Sequence, residues 1–154
     1  MATLATIDDF LAGKRIALVG ASRDPKAFSN AVARELRGHG YDVIGVNRSA
    51  DQEADEQSCR SVADLPPDID RAIVMVAAAQ SAQAVQECID RGITRIWLHK
   101  GIGPSAVSPE ALALCREHGV AVVDGECPLM FASPLGWPHR VHRIERKLTG
   151  RLPA

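Results

Sequence analysis

Arg15-Ile-Ala-Leu-Val-Gly-Ala-Ser22 is a short apolar run that stops at a glycine. Arg15 to Val19 has the length and unbroken apolar character of a strand buried on both faces. Asn30 to His39 follows, with Val32, Ala33 and Leu36 at helical spacing, and Gly38 and Gly40 stop that helix. Asp42-Val-Ile-Gly-Val46 then repeats the apolar run. Strand, glycine turn, helix and strand in this order make a βαβ unit, which forces the two strands to lie parallel.

The same alternation continues down the chain. Ser58 to Ser61 is a candidate short strand. Ala72-Ile-Val-Met-Val76, the most apolar run, is expected at the centre of the sheet. Ser81 to Arg91 reads as a helix with Ser81 as its cap and Val85, Cys88 and Ile89 facing inward. Arg95-Ile-Trp-Leu98 and Val120-Ala-Val-Val123 read as strands. Between them, Ser108-Pro109 opens a helix that His118-Gly119 closes. Met1 to Leu11 is expected to add a lead-in helix capped near Thr6. The fold class is α/β: a Rossmann-type, doubly wound, mostly parallel sheet in three αβα layers.

The 154 residues suit a single domain, and 46% hydrophobic against 24% charged residues is ordinary globular usage, which excludes a disordered chain. Residues 1–136 are expected to form that domain, and 137–154 a basic helical tail packed on it. The tail holds Arg140, Arg143, Arg146, Lys147 and Arg151 against Glu145, with Val141, Ile144 and Leu148 at helical spacing. The net charge of −1 argues against a protein that coats nucleic acid. No apolar run approaches a membrane span, and the start, with Asp8 and Asp9, lacks the basic region of a signal peptide. Cys59, Cys88, Cys115 and Cys127 form no C-x-x-C pair, so reduced thiols in the cytoplasm are expected and no metal site.

In a doubly wound sheet the ligand lies at the carboxyl ends of the strands, where the strand order reverses. The loop there starts at Gly20. Its glycine allows the tight turn, and free N–H groups near Ala21 and Ser22, backed by a helix dipole, would attract a phosphate. Any side chain at Gly20 is expected to crowd that approach, so Gly20→Val should abolish binding in a folded protein. The dinucleotide fingerprint fails, because Ser22 and Pro25 stand where its second and third glycines belong, and the P-loop fails as well. The second strand ends in Asn47-Arg48 rather than in the acid that holds the ribose of NAD. Arg48 can instead face a ribose phosphate, as in NADP or coenzyme A, or it is a solvated loop arginine.

Val19-Gly-Ala-Ser22, Gly38 to Tyr41, Val43-Ile-Gly-Val-Asn47, Trp97-Leu-His-Lys-Gly-Ile102 and Cys127-Pro128 together resemble the small stand-alone CoA-binding proteins of bacteria. These are similar to the CoA-binding domain of the succinyl-CoA synthetase alpha subunit. The resemblance covers roughly residues 10 to 130. It implies that Gly20, Ala21 and Ser22 cradle the pyrophosphate of coenzyme A, and that Asn47 and Arg48 flank its adenosine moiety. It further implies that Val76, Ala77, Gly101 and Ile102 line the pantetheine path. Three positions depart from the family: Arg48 replaces a proline, Ala77-Ala-Ala79 replaces larger residues, and His99 stands where glutamine is common. The synthetase also carries its catalytic histidine on a second domain for which this chain leaves no room, so the ligase reaction is not implied.

Other chemistry has weaker support. His39 and His118 precede helix-ending glycines and read as structural. His139 and His142 lack a third metal ligand, and no G-x-S-x-G elbow exists. His99 and Lys100 end a strand on the ligand edge, as a phosphate or carboxylate contact or as a plain polar strand end. Cys127 is either a small buried hydrophobe or a thiol presented to the cleft for a mixed disulfide with CoA. The reading is therefore non-catalytic binding of coenzyme A or an acyl-CoA, a small nucleotide ligand, with no membrane or nucleic-acid partner. The alternative is an NADP-dependent reductase with Arg48 on the 2′-phosphate.

Overall fold

The computed structural model describes residues 2–48 and 58–132. The proposed basic tail and most of the acid-rich loop after Arg48 fall outside them. Six parallel strands, β1 (Arg15–Val19), β2 (Asp42–Val46), β3 (Ser58–Cys59), β4 (Arg71–Val74), β5 (Arg95–His99) and β6 (Ala121–Glu126), form one sheet in the order β3-β2-β1-β4-β5-β6. The chain winds outward from β1 to β3 and returns to β4 on the other side of β1. That reversal between β1 and β4 makes the fold doubly wound.

Alternate residues of each strand point to opposite faces. Ile16, Leu18, Val43, Ile73, Trp97 and Val123 pack against α1 (Leu4–Ala12) and α2 (Phe28–Gly38) through Ile7, Phe10, Val32 and Leu36. Ala17, Val19, Ile44, Ala72, Val74, Ile96 and Leu98 pack against α3 (Ala78–Asp90) and α4 (Pro109–Glu117) through Val85, Cys88, Ala111 and Cys115. Both faces are therefore covered, which is why the strands read as continuous apolar runs.

Several element ends differ from the sequence reading. Thr3 caps α1 by accepting from the N–H of Thr6. α2 starts two residues before Asn30 and α3 three before Ser81, with Ala27 and Ala77 at their N-caps and no side-chain cap bond at either. Ser81 Oγ instead donates to the Ala78 carbonyl, and it shares a hydrogen bond of 2.9 Å with Ser108 Oγ, the cap of α4. β4 begins at Arg71 and ends at Val74, and β6 runs on to Glu126 through an irregularity at Gly125.

The amino ends of the strands are bound by ion pairs. Arg71 is 8% exposed. Its Nη1 donates to the Asp9 and Phe10 carbonyls at 3.0 and 2.6 Å, and its Nε and Nη2 donate to the Asp70 carboxylate. Arg95 bridges Asp9 and Asp70. Arg95 holds the Asp9 carboxyl below its ordinary range, and Arg71 does the same for Asp70. This network docks the end of α1 onto the sheet. Arg71→Met should lower unfolding stability by about 3 kcal/mol, because it strips buried carbonyls of their donor. A shift in the urea midpoint at constant slope measures it.

Candidate functional site

β1 ends against the neighbouring strand. Gly20 has φ +101, and a β-carbon there would lie 2.5 Å from the Met75 carbonyl oxygen. Only glycine permits both the left-handed turn and the close approach. Gly20 and Ala21 then donate their N–H groups to one acceptor, the Val46 carbonyl at the end of β2, at 3.1 and 3.2 Å. Of the N–H groups near Ala21 and Ser22 expected from sequence to be free for a phosphate, that of Ala21 is thus engaged across the sheet. Gly45 leaves room for Ala21 to sit over β2, since a β-carbon on Gly45 would be 3.0 Å from that of Ala21.

The rest of the loop is held by its own bonds. Ser22 Oγ accepts from the Asp24 N–H, and Asp24 Oδ1 accepts from the Lys26 N–H. Asn30 Nδ2 donates to the Ser22 and Asp24 carbonyls at 2.6 and 2.8 Å. Asp and Ser side chains closing two-residue turns in this way make a preformed loop.

Beside this turn lies a cleft of about 280 Å³ at the carboxyl edge of the sheet. Val19, Gly20 and Ala21 form one wall and Val46, Asn47 and Arg48 another. Val76 with Gln80, Gln83, Ala84 and Glu87 of α3 closes it. Of the residues expected from sequence, the structure gathers Gly20, Ala21, Asn47, Arg48 and Val76 around one opening. Ser22 belongs to the adjoining loop, and Ala77 is the N-cap of α3. Gly101 and Ile102 lie beyond β5, away from this lining, with Ile102 72% exposed.

The sequence reading missed the α3 contribution. Gln80, Gln83 and Glu87 recur three and four residues apart, which puts them on one helix stripe. That spacing was present, but only the apolar stripe was read.

Arg48 is an exposed loop arginine that has partners at the edge of the cleft. Its guanidinium pairs with Glu87, and with the Gln83 amide assigned so that its oxygen faces the guanidinium, that oxygen accepts from Nη1 and Nη2 at 3.2 Å. A second cleft of about 570 Å³ opens on the far side of the same three residues, between Arg60, Ser61, Val62 and Ala63 and the end of α3 at Asp90 and Arg91.

His99 ends β5 within the protein. It is 1% exposed, its ring lies 5.6 Å from that of Phe28, and neither ring nitrogen has a hydrogen-bond partner among the described residues. Burial pushes its pKa down, so the ring is held neutral. A β-carbon on Gly101 would touch its Nε2 at 3.3 Å. Cys127 is buried among α1, α2 and the short turn Pro128–Met130, and burial pushes its thiol up. Its sulfur is not presented to the cleft, so Cys127 behaves as the small hydrophobe. Cys88 and Cys115 are also buried, with pKa values pushed up to about 12 and about 11. Among the described residues, no helix is long and apolar enough to cross a membrane.

The family model for the CoA binding domain matches residues 14–133. The chain belongs to that family. A Bacillus subtilis relative, the uncharacterized protein YneT, is 27% identical over 114 residues, which is 74% of this chain and 82% of that protein. The alpha subunit of an ADP-forming acetate–CoA ligase II from Pyrococcus furiosus is 25% identical over 128 residues. That match takes 79% of this chain but only 28% of the ligase subunit. Among solved structures, a conserved hypothetical protein from Pyrococcus furiosus matches at 30% identity with a TM-score of 0.67, over 75% of this chain and 96% of that one.

Two outcomes follow from this geometry. Gly20→Ala should lower stability by about 2–4 kcal/mol, from the left-handed backbone and the carbonyl clash together. Gly40→Ala, also at positive φ but with nothing within 4 Å, should cost only about 1 kcal/mol. Urea unfolding of the pair separates the two effects. A bulkier Gly20→Val should lower stability at least as far, so its loss of binding is read alongside a thermal melt that reports how much of it is folded.

The second outcome concerns His99. Above about pH 6.5, the ordinary histidine value, the ring is neutral in both folded and unfolded chains. Below it the unfolded chain takes a proton that the buried ring refuses, so stability falls with pH. Urea midpoints between about pH 7.5 and about pH 5.5 should fall less steeply in His99→Gln.

Proposed function

We propose that this chain is a cytoplasmic binding protein for coenzyme A or an acyl-CoA, that the cleft beside Gly20 takes the 3′-phospho-ADP moiety, and that the chain catalyses nothing alone. The observation that carries the reading is a cleft at the point of strand reversal in a member of the CoA-binding family, with Arg48 at its mouth. The small apolar walls from Val19, Val46, Val76 and Ala84 suit the face of a nucleotide. α3 begins beside the cleft without a side-chain cap, so its first-turn N–H groups and dipole favour an anion. Gly20 and Ala21 supply shape, since their N–H groups are already engaged. Ser22, Ala77, Gly101 and Ile102 are left for the outer part of a long ligand.

The ionisable residues lining the cleft are Arg48 and Glu87, and they bind each other. The absence of an acid after β2 argues against NAD, while Arg48 suits a ribose phosphate.

Calorimetric titration of the full chain with CoA, dephospho-CoA, NADP and NAD tests the proposal. CoA should bind more tightly than dephospho-CoA by about 1–2 kcal/mol, the worth of one charge-assisted contact. Equal affinities would remove Arg48 from the site. NADP binding more tightly than CoA would replace this reading with a reductase, and no binding of CoA would overturn it.

A further inference from the structure

Arg48 is the one cation among the described residues lining the smaller cleft, and it does not face that cleft unopposed. Glu87 and Gln83, one turn apart on α3, grip its guanidinium from the opposite wall. All three residues line both clefts. A phosphate that uses Arg48 must first take it from Glu87.

We propose that Glu87 sets the selectivity of the cleft between 3′-phosphorylated nucleotides and their unphosphorylated counterparts, by competing with the ligand phosphate for Arg48. This rests on the proposed CoA-binding role. Solvent reaches the pair, with 58% of the Arg48 side chain and 33% of the Glu87 side chain accessible, so it is weakly held. A phosphate monoester carries close to two charges and fits the guanidinium fork, so it displaces a single carboxylate. The exchange leaves Glu87 beside the phosphate, and that repulsion opposes binding. Ligands without the phosphate never meet this competition. Glu87 thus narrows the advantage that Arg48 alone would confer.

Glu87→Gln keeps the shape and removes the charge. Full-length wild type, Glu87→Gln, Arg48→Gln and the double variant are titrated with CoA and with dephospho-CoA, and thermal melts verify folding. In Glu87→Gln the affinity for CoA should rise about 3–10-fold while that for dephospho-CoA stays within about two-fold. In the Arg48→Gln background the same change should shift the ratio of the two affinities less, because the competition is gone and only direct repulsion of the phosphate is relieved. If wild type discriminates between the ligands but Glu87→Gln keeps its ratio, the competition is refuted and the binding role stands. A parallel loss of both affinities in a folded Glu87→Gln would make Glu87 a direct ligand contact and refute it equally. If wild type binds no CoA, both readings fall.

Discussion

The close approach of Gly20 to the Met75 carbonyl constrains everything at the carboxyl edge of the sheet. β1 and β4 are adjacent but wind in opposite directions from the point of reversal, so the turn after β1 must leave without a side chain between the strands. In the left-handed turn at Gly20, its own N–H and that of Ala21 both point sideways at the Val46 carbonyl. β1, β2 and β4 are thereby tied together at their ends by one turn. The cleft is the space that this turn leaves beneath α3. Had a β-carbon stood at residue 20, the strand ends would separate and the cleft would lose a wall.

The fold was legible because a parallel sheet covered on both faces needs strands that are apolar at every position. Ile16 to Val19 and Val43 to Val46 meet that need except at Gly45, which serves Ala21. Helix starts were less legible for a definite reason. α1 and α4 carry hydroxyl caps, and the Ser108 cap was read correctly. α2 and α3 start at Ala27 and Ala77, residues with no capping chemistry, so nothing in the sequence marks them. Ser81 looked like a cap but its hydroxyl serves the Ala78 carbonyl and Ser108.

The site was legible where it sits on strand ends and illegible where it depends on partners far along the chain. Gly20, Asn47 and Arg48 follow directly from the strand assignments. The pairing of Arg48 with Glu87 spans 39 positions and depends on how α3 is rotated over the sheet. The capture of two N–H groups by the Val46 carbonyl is likewise a cross-strand event. His99 gave a polar signal at a strand end, yet its side chain turned inward to Phe28 because β5 is buried on both faces.

Charge is distributed over the two edges of the sheet in different ways. At the amino edge, Arg15 at the start of β1 pairs with Asp42 at the start of β2 and with Asp68. Arg71 and Arg95 open β4 and β5 and share Asp70 and Asp9. These guanidiniums have two or more acceptors each, and Arg71 is buried, so no one anion could displace its partners without undocking α1. At the carboxyl edge Arg48 pairs across an open cleft, where solvent reaches both partners. A cation bound in a network stabilises the fold and is closed to ligands. A cation held by one partly exposed carboxylate and a neutral amide adds little to the fold and remains exchangeable. The sheet thus keeps its structural charges at the amino edge and leaves Arg48 available at the edge where doubly wound folds take their ligands.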